Sequence, residues 1–498
     1  MTETSDRAGA SAGKPFLDPA TWRGRIFNGA WVAAQGGTHT LTEPATGEQL
    51  GVTGMANAAD VLTAGVQARA AQTAWAASDY KARADIFRRA ADLVAQHHDE
   101  LATWIMRETG AIRAKADLEL REAMAHLHEA AAMLRQPRGQ LLASASGTMS
   151  IARRVPHGVV GVISPFNFPL ILSIRSIAPA LATGNAVVHK PDLQTPVSGG
   201  VLIARIFEAA GLPAGVLHVL PGGVEAGQAL CSAPAIGMIA FTGSTAAGHS
   251  VGELAGRHLK KMSLELGGKN ALIILDDADP EIAAANAAWA TFLHQGQICM
   301  CAGRVLLQRG IADAVIARLV EKARRLPVGD PMGGNVALGP MINARQVARV
   351  HAIVEDSVAA GATLLAGGTF EQLFYRPTVL TGARAGMRCF EEELFGPVAS
   401  ITVFDTDDEA IALASATSGC LALGVITPDI GRAMAIADRV PSGHVHINDQ
   451  TVVAEAHAPF GGGGTSGNGG RHGGTIDWEE FTQTQWLTIK PAAPRYPF

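Results

Sequence analysis

The stretch "VVGVISPFNFPLILSIRSIAPALATGNAVVHKP", residues 159–191, reads as strand, turn, helix and strand in succession. "VVGVISP" is a short apolar run of β-branched residues, "PLILSIRSIAPALATG" has helical character, and "NAVVHKP" is again strand-like. The pattern continues with a helix in "VSGGVLIARIFEAAG" and strands in "GVLHVLPGG" and "IGMIAFTGS". Apolar runs separated by helices of this length build βαβ units and therefore a parallel, doubly wound α/β sheet. Ligands of such sheets sit beyond the carboxyl ends of the strands.

A second alternation runs from "NALIILDD" through "RVLLQ", "LFGPVASITVFD" and "LALGVIT" to "GHVHIND", with helices over 311–325 and 346–360. Two α/β domains follow, joined near "LELGGK" at 264–269. Upstream, residues 58–135 carry apolar positions at three- and four-residue spacing and read as helices, with Gly110 and Pro137 as stop signals. His97, His98, His126 and His128 fall on these helices and read as solvated positions rather than ligands. "QLLASASGTMSIARRV" (140–155) is a hairpin candidate turning at Ser146–Gly147. The glycine-dense "PFGGGGTSGNGGRHGG" (459–474) has the composition of a flexible linker, yet its place between ordered segments suits a functional loop equally well.

A chain of 498 residues, 48% hydrophobic and 17% charged, is globular and too long for one core. Its net charge of −5 is spread along the chain and excludes a nucleic-acid partner. No apolar run is long enough for a membrane span, and the first residues lack the pattern of a signal peptide. Five scattered cysteines make no disulfide framework, so a reduced, cytoplasmic protein is expected. Cys299 and Cys301 stand as C-x-C in "HQGQICMCAG" without a second ligand pair, which argues against a metal. A buried inert cysteine or a nucleophile remains.

Neither G-x-G-x-x-G nor a phosphate-binding G-x-x-x-x-G-K-[ST] loop is present. "FTGSTAAG" (241–248) instead follows a strand and opens a helix with Ser244 near its N-cap, where backbone N–H groups and the helix dipole favour a phosphate. It is one of six motifs in order: "PFNFP" (165–169), "HKP" (189–191), "FTGS" (241–244), "LELGGK" (264–269), "GQIC" (296–299) and "EELFGP" (392–397). Together they resemble the NAD(P)-dependent aldehyde dehydrogenase superfamily over nearly the whole chain. "LHQGQICM" and "HINDQT…EAHAPFGG" look most like its benzaldehyde, vanillin and salicylaldehyde dehydrogenases.

The resemblance implies oxidation of an aromatic aldehyde to its acid with NAD or NADP, NAD slightly favoured, and no metal. Cys299 matches the nucleophile, which would form a thiohemiacetal and then a thioester. Asn167 and the Cys299 N–H match the oxyanion hole, and Glu265, 34 residues before Cys299, matches the base that hydrolyses the thioester. Lys190 would meet the adenosine ribose, Gly243 and Ser244 the pyrophosphate, Glu393 the nicotinamide ribose, and Phe395, Ser164 and Phe166 the rest of the cofactor. Phe168, Leu172 and Arg175 share one helical face and would line the substrate funnel with Phe292, Leu293 and Phe460, residues 446–459 forming the other wall. For Arg175, a structural ion pair and a guanidinium stacking on an arene are both open readings.

The implied fold is a Rossmann-like cofactor domain (1–137, with 1–15 a loose tail, and 156–267), an α/β catalytic domain (268–477) and a small β oligomerisation element (138–155 and 478–498). "TQTQWLTIK" would add a strand to a neighbouring subunit, giving a homodimer or homotetramer. The chain departs from the family pattern at Leu193, where NAD-preferring relatives carry a glutamate, at Gly464 in place of the lysine of F-G-G-x-K, and in "SGCLALGV" (418–425), which lacks the Tyr–Gly pair. Alternatives are a coenzyme-A-acylating or aliphatic aldehyde dehydrogenase, or a non-catalytic binding protein of the same fold.

Overall fold

The computed structural model describes residues 14–498 apart from 418 and 420, so Cys420 and the first residues of the expected tail lie outside the described residues. Two seven-stranded sheets organise the chain. The first runs Lys261–Glu265, Met238–Thr242, Val159–Ile163, Ala186–Lys190, Leu217–Val219, Arg25–Asn28, Trp31–Ala33; its first four pairings are parallel and its last two antiparallel. All five residues of Val159–Ile163 are buried, which is why its sequence is continuously apolar rather than alternating.

The second sheet runs Thr363–Ala366, Thr378–Thr381, Val398–Phe404, Arg304–Gln308, Ala271–Ile274, Ala422–Ile426, His444–Ile447, and only its first pairing is antiparallel. Glu265 ends Lys261–Glu265, the first sheet's last strand in chain order, and Ala271 begins a strand of the second, so "LELGGK" carries the chain from one sheet to the other.

The helical region resolves into Ala58–Ala77, Tyr80–Gln96, His98–Thr109 and Arg113–Met133. Gly110 caps the third of these with φ +68°, a conformation that favours glycine. His98 sits in an exposed charge cluster with Asp99, Arg113 and Asp117. His126 departs from the expected solvated position: it is half-buried, and burial, helped by the nearby Arg175 charge, pushes its pKa down to about 3. The hairpin pairs Gly139–Leu142 with Met149–Pro156. Thr482–Ile489 pairs with Met149–Pro156 as well and forms one edge of the resulting three-stranded sheet.

Candidate active site

Cys299 is presented by an unusual turn. His294, Gln295 and Gly296 all have positive φ (49°, 57° and 67°), which costs energy at the two non-glycine positions. Buried contacts hold the turn. His294 Nε2 pairs with the Asn167 carbonyl at 2.9 Å, and Gln295 Nε2 donates to the carbonyls of Gly110 (2.9 Å) and Pro340 (2.7 Å). The Asn167 amide donates to the Gln297 carbonyl at 2.8 Å. Asn270 grips the turn from below: its Nδ2 donates to the carbonyls of Cys299 (2.7 Å) and Cys301 (2.9 Å), while its Oδ1 accepts from the N–H groups of Leu421 and Ala422.

Asn167 lies just before the Pro169–Ala182 helix, whose N-terminus has no cap of its own. Glu119 supplies one: its Oε1 accepts from Leu170 N (2.7 Å) and Ile171 N (3.2 Å), and its partner Lys115 lies over the Phe168 ring. Glu265 ends its strand buried, and among the described residues neither carboxylate oxygen has a well-formed hydrogen bond. Burial pushes its pKa up to about 8, against the pull of Arg175, Arg471 and the Gly462 N–H. The Gly-rich segment is an ordered strap around this strand: Leu266 N donates to Ser466 O (3.0 Å) and Leu264 N to Asn468 Oδ1 (2.9 Å). A Cβ on Gly461 would stand 2.7 Å from Glu265 Oε1, so glycine is required for this close approach. Gly464 has φ +60°, a conformation that favours glycine.

A cavity of about 670 Å³ opens onto Cys299 and Asn167. Phe168, Leu172, Arg175, Leu293 and Phe460 line it, as does the segment Asp449–Glu455. Phe292 does not. It packs into the core beside the second sheet, because one residue is about 100° of helix rotation from the cavity-facing Leu293. Trp289, unanticipated from the sequence, lines the mouth instead, one turn before Leu293. Burial pushes the Cys299 thiol up to about 12, with Arg175 pulling it down. Cys301 lines a separate small void with Glu393, Phe395 and Gly268, and burial raises its thiol still further.

Behind Cys299, the carboxyl ends of three neighbouring parallel strands carry Ser164, Lys190 and Gly243–Ser244. Ser244 caps the Thr245–Arg257 helix by accepting from Ala247 N, and Gly243 N donates to Glu265 O. Lys190 donates to the carbonyls of Gly222 (2.9 Å) and Pro191 (3.2 Å), and Ser164 Oγ pairs with buried His189. Phe166 and Phe395 meet edge to face at 6.0 Å. Glu393, its carboxyl pushed up to about 7 by burial against the pull of Arg349 and Lys269, lies against Gly267 and accepts a long bond from Gly268 N at 3.4 Å. A helix N-terminus for phosphate and a weakly engaged, half-buried carboxylate for ribose hydroxyls fit a dinucleotide. Among the described residues no cluster of His, Cys, Asp or Glu could hold a metal ion, and no helix is long and apolar enough to cross a membrane.

The sequence profile of the aldehyde dehydrogenase family matches residues 31–487. The chain belongs to the aldehyde dehydrogenase family. It is 54% identical to a vanillin dehydrogenase of Amycolatopsis sp., over 97% of this chain and 100% of that protein. It is 50% identical to the benzaldehyde dehydrogenase [NAD(+)] of Pseudomonas putida, over 96% and 98%. The crystal structure of a salicylaldehyde dehydrogenase from Pseudomonas putida G7, complexed with salicylaldehyde, superposes with a TM-score of 0.92 at 35% identity, covering 95% of this chain and 99% of that one. The aldehyde dehydrogenase fold expected from the six motifs is therefore present. The site also contains positioning residues that motif reading missed, Glu119, Asn270, His294 and Gln295, because their partners lie far away in sequence.

Proposed function

We propose that the enzyme oxidises aromatic aldehydes of the benzaldehyde and vanillin type to their carboxylic acids with NAD(P). The observation that carries this reading is a largely apolar, aromatic-lined cavity ending on Cys299 and Asn167, with Glu265 close enough to act electrostatically on the Cys299 thiol. Similarity to vanillin and benzaldehyde dehydrogenases supports the same substrate class. Cys299 attacks the aldehyde carbon as the thiolate, and the oxygen that becomes negative is met by the Asn167 amide and the Cys299 N–H. Bound NAD(P) supplies the hydride acceptor, leaving a thioester on Cys299. Glu265 takes a proton from water, the resulting hydroxide adds to the thioester carbon, and the Cys299 thiolate departs with the acid as product. A weakly engaged carboxylate close enough to act on the Cys299 thiol suits water as acyl acceptor rather than coenzyme A.

Ser164, Phe166, Lys190, Gly243, Ser244, Glu393 and Phe395 would hold the cofactor, the first sheet belonging to the cofactor domain and the second to the catalytic domain. Leu193, three residues after Lys190, presents no carboxylate to repel a 2′-phosphate, so both NAD and NADP are accepted. Leu193→Glu is expected to raise the KM for NADP while leaving that for NAD nearly unchanged. Absolute rejection of NADP by the native enzyme would assign the choice to another residue. Asn167→Ala is expected to lower kcat by about 10²–10³-fold with little change in KM. Equal losses in substrate binding and turnover would instead mark Asn167 as a scaffold for the Cys299 turn.

A dimer or tetramer is the assembly we favour, built on the three-stranded sheet, where Leu141 and Trp486 are 77% and 72% exposed. The four described cysteines are free, which suits the cytoplasm. Rates on a panel of substituted benzaldehydes and aliphatic aldehydes, with and without coenzyme A, test the proposal. Aromatic acids formed without coenzyme A are expected; a preference for aliphatic aldehydes or a coenzyme-A requirement would overturn it.

A further inference from the structure

Arg175 is 3% exposed, in the middle of the Pro169–Ala182 helix, and lines the cavity that ends on Cys299. A buried guanidinium is costly unless it is paired. Yet among the described residues Arg175 forms no ion pair, and its Nε has no hydrogen-bond partner. Its fixed contacts are a 3.0 Å hydrogen bond from Nη2 to Thr242 Oγ1 and the face of the Phe460 ring, 4.5 Å from Cζ. The arene it stacks on is thus the protein's own.

Those two contacts place its charge. Thr242 is the register partner of Glu265 across the parallel strands, and Phe460 precedes the Gly461 that touches Glu265. Phe460 also packs in the same cluster as Cys299. We propose that Arg175 is a positioning residue for the reaction, a fixed buried counter-charge that favours the anionic forms of Cys299 and Glu265.

The surroundings leave that charge directed at these two groups. Arg175 lowers the pKa of both, opposing burial. Asp477, on the Ile476–Glu480 helix, is the third acidic group facing it, but burial pushes Asp477 up to about 7 and its Oδ1 accepts from Gly473 N. His126, His444 and His472, facing it from three other elements, are all held neutral by burial, with pKa values of about 3, about 4 and well below the ordinary histidine value. Around the two reacting groups, Arg471 acts on Glu265 in the same sense as Arg175, whereas Glu480 opposes at Glu265 and Glu393 at Cys299.

The inference rests on the proposed roles of Cys299 and Glu265, and its first test needs no substrate. The rate of Cys299 alkylation by iodoacetamide at pH 8, read by peptide mass spectrometry, is compared in wild type, Arg175→Met and Arg175→Lys. Losing the cation raises the thiol pKa, and because higher intrinsic nucleophilicity offsets part of the lost thiolate, the Met variant is expected to react about three- to tenfold more slowly. Lys should restore most of the rate. The acid limb of kcat, near pH 8 for Glu265, should move up by about one unit in the Met variant, with the same fractional loss for plain and hydroxylated benzaldehydes. Unchanged alkylation and an unmoved limb, with a changed substrate ranking, would overturn the inference and make Arg175 a substrate-recognition residue. If the Met variant does not fold, Arg175→Gln carries the same comparison. If no aromatic aldehyde is oxidised, the substrate assignment fails, while the alkylation result still judges Arg175.

Discussion

Cys299→Ser is expected to abolish aldehyde oxidation, by on the order of 10⁶-fold, as removal of a nucleophile does in other covalent enzymes. A hydroxyl is a weaker nucleophile at neutral pH, and an ester at this position would hold its acyl group where a thioester releases it. The substitution changes one atom in a turn held by Asn270, His294 and Gln295 rather than by the sulfur. Cofactor affinity, measured by titration calorimetry, should therefore stay within a few fold of wild type. Cys301 cannot take over: it faces a different void, and its thiol is harder to ionise than that of Cys299. Turnover near the wild-type rate in Cys299→Ser would move the nucleophile elsewhere, with Cys301 examined next.

Glu265→Gln should slow hydrolysis of the acyl-enzyme by about 10²–10⁴-fold, the usual cost of losing a general base. Hydride transfer does not require the carboxylate, so rapid mixing should give one burst of reduced cofactor per active site and then slow turnover. On the proposed assignment the ionised carboxylate is the active form in the native enzyme. With a pKa raised to about 8, hydrolysis should climb with pH through that value, and the Gln variant should lose this limb. A burst no larger than in wild type, with hydride transfer slowed equally, would contradict the assignment.

Much of this was legible in the sequence because its causes are local. Val159–Ile163 is apolar throughout because parallel strands are covered on both faces, and Phe168, Leu172 and Arg175 fall on one helical face by spacing alone. The motifs around Cys299 and Glu265 carried the family. Other features depend on contacts between distant segments. The composition of the Gly-rich strap leaves linker and functional loop equally open, since glycine content records close approach and freedom alike; its partners on the Glu265 strand decide for an ordered loop. Phe292 was misplaced because a helix end in an apolar stretch gives no phase. His126 reads as polar surface in a one-dimensional pattern, although Arg175 and the C-terminal segment meet it in space.

Trapping the acyl-enzyme tests the covalent mechanism most directly. Glu265→Gln is mixed with benzaldehyde and NAD, quenched in acid, digested and sequenced by mass spectrometry across the peptide holding Cys299 and Cys301. One benzoyl group on Cys299, removable by hydroxylamine, is the expected result. An unmodified Cys299 while reduced cofactor accumulates, or a benzoyl group on Cys301, would contradict it.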